Sequence, residues 1–199
     1  MPTKQKPNRQ VAGQSVKIIA GLWRSRKVNF PAIPGLRPTG ARIRETLFNW
    51  LAPDIKGANC LDVYAGSGIL SLESLSRGAT TCTALESERV ALDTLQENRA
   101  KLQANLTIVA VNSIDFLAKK NTAQPFDVVF IDPPFNQNLQ ARTCELLEAN
   151  HWLSSTALVY CELSSKEAHL SAPPNWVLKK NKVAGNVRFM LYSRIEPAN

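Results

Sequence analysis

One tetrapeptide carries residue types suited to a particular piece of chemistry. Asp132-Pro133-Pro134-Phe135 stands directly after the apolar run Phe126-Asp127-Val128-Val129-Phe130-Ile131. The two prolines fix φ and lack an N–H, so their backbone offers only carbonyls. A residue before proline is pushed to extended geometry, which stiffens Asp132 and Pro133 together. Asp132 adds an acceptor and Phe135 a flat face for stacking. Carboxylate, carbonyl and aromatic face together suit the exocyclic amine of a nucleobase. A rigid turn with a chance acid would use the same four residues, so the tetrapeptide needs support from its surroundings.

That support comes from three other strand ends. Asp62-Val63-Tyr64-Ala65-Gly66-Ser67-Gly68 closes an apolar strand and opens a helix. Its glycines allow a tight turn and a close approach of backbone to a ligand. A dinucleotide fingerprint requires a third glycine or an alanine, and that position is Ser71, which disfavours NAD or FAD. Glu86 ends the next strand, where an acid can bond ribose hydroxyls. Asn112 and Ser113 follow the third strand and could meet an adenine edge, although a helix N-cap would use the same residue types. Tyr64, Ala65, Gly66, Ser67, Gly68, Asp62, Glu86, Asn112 and Ser113 are thus candidate cofactor-binding residues. Asp132, Pro133, Pro134 and Phe135 are candidate catalytic ones.

The elements that must position these residues alternate. Strands are predicted at 60–64, 81–85, 106–111, 126–131 and 157–161, with helices at 69–77, 87–103, 114–119 and near 139–149. Repeated βα units imply a doubly wound, mostly parallel sheet. Val177-Leu178-Lys179-Lys180 and Val187–Tyr192, joined through Gly185-Asn186, read as an antiparallel hairpin at the sheet's end. Upstream, Val16–Ile19 and Lys27–Phe30 flank a turn and form a second hairpin. Thr39 is placed to N-cap a helix whose apolar face is Ile43, Leu47, Trp50 and Leu51. The domain reading is a basic N-terminal segment with its hairpin, 1–38, ahead of an α/β domain, 39–199.

Charge is distributed unevenly. The net charge is +8, yet ten of the 24 basic residues fall within residues 1–44, which contain no acid. The remaining 14 basic residues accompany all 16 acids. This is the footprint of a polyanion-binding arm. Lys17, Arg24, Arg26, Lys27, Arg37, Arg42 and Arg44 are the candidate phosphate contacts, although Arg42 and Arg44 also suit a solvated helix face. Cys60, Cys82, Cys144 and Cys161 lack metal spacing and read as buried free thiols of a reducing cytoplasm. His151 and His169 have no partner motif, so no metal site is expected. No run approaches the ~18 apolar residues of a membrane span, and no apolar h-region follows the basic N-terminus.

The arrangement resembles the class I, Rossmann-like S-adenosylmethionine-dependent methyltransferase fold. Asp132-Pro133-Pro134-Phe135 resembles the signature of its amino-methyltransferases. Over nearly the whole chain the sequence is similar to the bacterial 16S rRNA guanine-N2 methyltransferase D family. The likeness runs through Val16–Lys27, Leu36-Arg37-Pro38-Thr39, Arg42–Leu51 and Lys182–Val187. One departure is Ala41, where the family carries an acid ahead of the arginine. The resemblance implies a seven-stranded sheet with its last strand antiparallel and S-adenosylmethionine as cofactor. It implies methyl transfer to the exocyclic N2 of one guanine in 16S rRNA (the family's guanine 966). It also implies an assembled or partly assembled small subunit as substrate, and a monomer suits so large a partner. From the residues alone, an adenine-N6 methyltransferase on RNA or DNA stays open, as does a non-catalytic ribosome-assembly factor with a vestigial cofactor fold.

Overall fold

The computed structural model describes residues 14–32, 38–134, 138–167 and 169–195. Its centre is a seven-stranded sheet made of β3 (Asn59–Asp62), β4 (Thr81–Glu86), β5 (Leu106–Ala110), β6 (Phe126–Ile131), β7 (Leu153–Ser164), β8 (Trp176–Ala184) and β9 (Val187–Arg194). Their spatial order is β5-β4-β3-β6-β7-β9-β8. The first five are parallel, and β9 pairs antiparallel with both β7 and β8. The chain moves outward from β3 to β5 and then returns to lay β6 on the other side of β3. That reversal opens a crevice at the strand C-termini, where open α/β sheets bind their ligands.

Central strands buried on both faces read as continuous apolar runs. β3 and β6 follow this rule, and their residues alternate between two cores. Cys60 and Val128 join a core with Leu47, Leu72 and Leu95. Leu61 and Val129 join another with Leu117, Leu147 and Trp152. Helices α1 (Ala41–Trp50), α2 (Ile69–Ser76) and α3 (Arg89–Leu102) thus cover one face, and α4 (Ser113–Leu117) and α5 (Gln140–Ala149) the other. All four cysteines are buried as free thiols, on β3, β4, α5 and β7. His151 and His169 are exposed. No described helix is long and apolar enough to cross a membrane.

The N-terminal hairpin, β1 (Gln14–Lys17) and β2 (Lys27–Phe30), is packed against the helices. Ile18 and Val28 are fully buried in the first core. Asn98 of α3 exchanges two hydrogen bonds with the backbone of Asn29, at 3.0 and 2.7 Å. The turn is pinned to the end of α2: Leu22 N donates to Ser76 O at 2.7 Å, and Trp23 N to Ser76 Oγ at 2.9 Å. Gly21 lies at φ +82, and a Cβ there would sit 1.8 Å from Ser76 O, so only glycine allows this approach. Beneath the hairpin, Glu73 of α2 accepts from Ile19 N, Arg44 Nη1 at 3.2 Å and Arg77 Nε at 3.3 Å. The tail over residues 1–13 lies outside the described residues.

Two expectations change. Thr39 does not cap α1: Gly40 holds the N-cap position with no side-chain cap bond, and Thr39 turns elsewhere. Arg44 is not a phosphate contact. Its side chain is 1% exposed and paired with Glu73, because the helical period puts it on the same side as Leu47 and Phe48.

Candidate active site

The glycine loop follows β3 directly and feeds α2. Gly66 and Gly68 adopt left-handed φ values of +50 and +72. A Cβ on Gly68 would lie 2.1 Å from Leu95 Cδ1, so this glycine also lets the loop pack against α3. Asp62 sits below the loop, 1% exposed. Its Oδ2 accepts from Ser71 N at 3.2 Å and Ser71 Oγ at 2.6 Å, which ties the end of β3 to the first turn of α2. Ser71, which spoiled the dinucleotide fingerprint, is thus Asp62's partner. Ala65 N donates to Leu85 O, joining the ends of β3 and β4. Ser67 Oγ accepts from Ile69 N at 3.3 Å, and the Tyr64 hydroxyl meets Thr143 Oγ1 of α5 at 2.6 Å.

Glu86 ends β4 beside this loop. One carboxylate oxygen accepts from Gly66 N at 2.8 Å, and the other from Ser87 N and Glu88 N, also at 2.8 Å. A carboxylate retains further lone-pair sites after these bonds. Asn112 caps α4, its Oδ1 accepting from Ile114 N at 2.9 Å and Asp115 N at 3.3 Å. Ser113 donates its hydroxyl to Val63 O, the residue just after β3. Both therefore have local work at the end of β5, whatever else they touch.

Asp132 and Pro133 follow β6 across the switch point, with Asp132 half-buried, Pro133 buried and Pro134 exposed. Phe135 lies outside the described residues. Thr39 donates its hydroxyl to Asp132 Oδ2 at 3.0 Å, fixing one oxygen of the carboxylate. Behind them Glu162 of β7 is 3% exposed and accepts from the Tyr160 hydroxyl at 2.6 Å. Removal from water pushes the Asp132 carboxyl up to about 7; the Thr39 bond opposes this and the charge of Asp62 adds to it. Burial likewise raises Asp62 to about 6, against its bonds from Ser71 and with a further push from Glu86. Glu162 is raised well above the usual carboxylate range by burial, and Asp132 adds to that. Among the described residues no ion pair relieves any of these acids. Thr39 and Glu162 are the residues that sequence reasoning missed. No local spacing announces them, since Thr39 lies 93 residues from its partner.

The structure thus brings Asp62, the glycine loop, Glu86 and Asp132 to one edge of the sheet. It leaves the basic turn apart. Arg24 and Arg26 are exposed beyond the C-terminal end of α2, while the glycine loop is at the N-terminal end of that eight-residue helix, about 12 Å away. Lys17, Lys27 and Arg42 are exposed as well, and Arg37 lies outside the described residues. An open cleft of about 310 Å³ lined by Asp54, Lys56, Asp127 and Thr156 lies at the other edge of the sheet and takes in none of these groups.

A parallel five-strand run extended by an antiparallel pair, with its acids crowded at the switch point, is the class I S-adenosylmethionine-dependent methyltransferase fold. Residues 16–193 match the family described as conserved hypothetical protein 95. Over 191 residues, 96% of this chain and 95% of the relative, the sequence is 49% identical to ribosomal RNA small subunit methyltransferase D of Escherichia coli (strain K12). A solved Escherichia coli structure assigned as the methyltransferase yhhF is 44% identical with a TM-score of 0.85, covering 92% of this chain and all of that one. The chain belongs to the ribosomal RNA small subunit methyltransferase D family. It is a methyltransferase, and S-adenosylmethionine is its cofactor. The Thermus thermophilus 16S rRNA N2 G1207 methyltransferase, solved with AdoMet and guanosine, shares the fold at 15% identity and a TM-score of 0.71, over 96% of this chain and 53% of that one. The donor set here fits the cofactor chemically. Two carboxylates suit hydroxyl and ammonium groups, and the backbone between left-handed glycines suits a close approach.

Proposed function

We propose that the protein transfers the methyl group of S-adenosylmethionine to the exocyclic N2 of one guanine in the 16S RNA of the small ribosomal subunit. The observation that carries this reading is the Asp132-Pro133 clamp, set across the switch point from the glycine loop in a chain of this family. The relatives' name, ribosomal RNA small subunit methyltransferase D, supports small-subunit RNA as substrate, and guanine over adenine rests on the resemblance of the flanking motifs. Residues 1–38 serve as the RNA-gripping arm and 39–199 as the catalytic domain. The enzyme acts as a cytoplasmic monomer on an assembled or partly assembled subunit.

The cofactor, when bound, supplies a methyl group already activated on sulfur. Gly66, Ser67 and Gly68, with the backbone of Tyr64 and Ala65, would hold its amino-acid portion over Asp62. Glu86 would take the ribose, and Asn112 and Ser113 would border the adenine. The chain's own contribution is position, which supplies roughly 7–11 kcal/mol in well-oriented reactions. Guanine N2 is a poor nucleophile because its lone pair is delocalised into the ring. The free oxygen of Asp132 and the Pro133 carbonyl would accept its two N–H groups, favouring a pyramidal nitrogen and stabilising the positive charge that develops there. Asp132 then takes the proton released from nitrogen. Phe135 would stack on the extruded base, worth about 1–3 kcal/mol.

The test is methyl transfer from labelled cofactor to undermodified small subunits, followed by nucleoside analysis. Labelled N2-methylguanosine is expected. Labelled N6-methyladenosine would overturn the choice of base. Binding to subunits with no transfer and no affinity for cofactor would return the protein to the assembly-factor reading.

A further inference from the structure

We propose that the C-terminal edge strand β8 is a second RNA-binding surface, which takes the phosphates flanking the target base. This deepens, and rests on, the ribosomal RNA reading above. The sequence hid it by averaging, because residues 45–199 as a whole carry a slight acidic excess. Within them residues 176–194 hold Lys179, Lys180, Lys182, Arg188 and Arg194 and no acid at all. Arg194 is committed to Glu148, and Arg188 holds the hairpin together through Glu167 O and Asn181 Oδ1. The three lysines belong to β8, which is exposed from Val177 to Val183.

Sheet register fixes where this charge stands. Ile131 of β6 pairs with Cys161 of β7, so Asp132 is level with Glu162. Glu162 pairs with Phe189 of β9, and Phe189 with Lys182 of β8. Lys182 therefore stands in the row of the acceptor clamp, three inter-strand spacings or about 14 Å away. Strand β8 runs in the same direction as β6 and β7, so its Lys182 end points to the rim that carries Asp132. The Lys182 ammonium lies 6.0 Å from the ring of Trp50, itself stacked on Phe189, which brings α1 against this edge. Arg42 is exposed at the other end of α1.

Lysines and an irregularity between Leu178 and Lys180 are also devices that keep an edge strand from pairing with other chains. Edge protection requires charge of either sign. Here every charge on the hairpin is positive and the strand ends at the catalytic rim, the pattern expected of a surface facing a polyanion.

The experiment compares wild type with a triple variant, Lys179→Gln, Lys180→Gln and Lys182→Gln, on undermodified small subunits at several salt concentrations. The expected result is a several-fold higher KM and a log–log salt slope shallower by about 0.7–0.9 for each phosphate no longer neutralised. The kcat at saturating subunits and calorimetric S-adenosylmethionine affinity stay unchanged. Arginine at the same three positions should restore the slope, and Lys182→Gln alone should move it if the triple variant folds poorly. A triple variant with wild-type KM and slope overturns the proposal, whether or not it aggregates. Failure of the underlying reading looks different, because wild type itself would then transfer no methyl group to the subunits.

Discussion

Glu73 and Asp132 are both acids withdrawn from water, and their neighbourhoods are opposite. Glu73 is fully enclosed and answered by two arginines and a backbone N–H, all drawn from the segments it joins. Asp132 is answered by one hydroxyl and faces two further acids, Asp62 and Glu162. The first arrangement holds the N-terminal hairpin to α2. The second is an unfinished electrostatic site, costly to ionise until a cationic ligand or a hydrogen-bond donor arrives. Compensated charge marks what the fold needs; under the proposed function, uncompensated charge is what the reaction would use.

The largest effect that would break this contrast lies at Glu73. Glu73→Ala leaves Arg44 buried without its partner and should cost roughly 3–5 kcal/mol in denaturant unfolding; a loss below about 1 kcal/mol would show that the cluster is not structural. Next comes activity at the other acid. Asp132→Asn should lower turnover by about 10²–10³ while calorimetric cofactor binding persists, and loss of both together would make Asp132 a structural residue. The same variant should also gain stability. Folded Asp132 holds its proton up to about 7, whereas an unfolded aspartate releases it near about 4. The wild type therefore loses stability as pH rises through that window, and Asn does not. At about pH 8 the variant should be more stable by on the order of 1–3 kcal/mol, with the gain gone near about pH 4; thermal melts at the two pH values read this directly. The smallest effect belongs to Thr39. The wild-type kcat/KM should climb through about pH 7 as Asp132 ionises. Thr39→Val removes a bond that favours the ionised form, worth about 1 kcal/mol, so its midpoint should move upward by about 0.7 pH unit and its rate at about pH 7 fall about threefold. An unmoved midpoint would confine Thr39 to packing.

Much of this contrast was visible in the chain before any coordinates, though only one half of it. The strand ends at Asp62, Glu86 and Asp132 were legible because βα alternation is a local pattern and acids at strand termini stand out against apolar runs. Thr39 was not, because a threonine before a helix suits an N-cap equally well and its real partner is remote in sequence. Arg44 carried a signal that went unused: it precedes Leu47 and Phe48 by three and four residues, which places it on the apolar side of α1, whereas Arg42 points out. The edge strand was legible as a hairpin but not as a charged surface, because the charge balance was struck over residues too distant from one another to share a face.

The four cysteines give the molecule a property of another kind. They sit on β3, β4, α5 and β7, and burial pushes the Cys60 thiol up to about 12 and those of Cys82 and Cys161 well above their usual range. All four side chains are buried away from reagent, so each cysteine stays silent until its segment opens. Mass-resolved alkylation of the unmodified protein would then act as a recorder of breathing. Cys60 and Cys82 would time the cofactor half of the sheet, and Cys144 and Cys161 the acceptor half. Whether the two clocks run together tells whether one half can loosen while the other keeps its ligand.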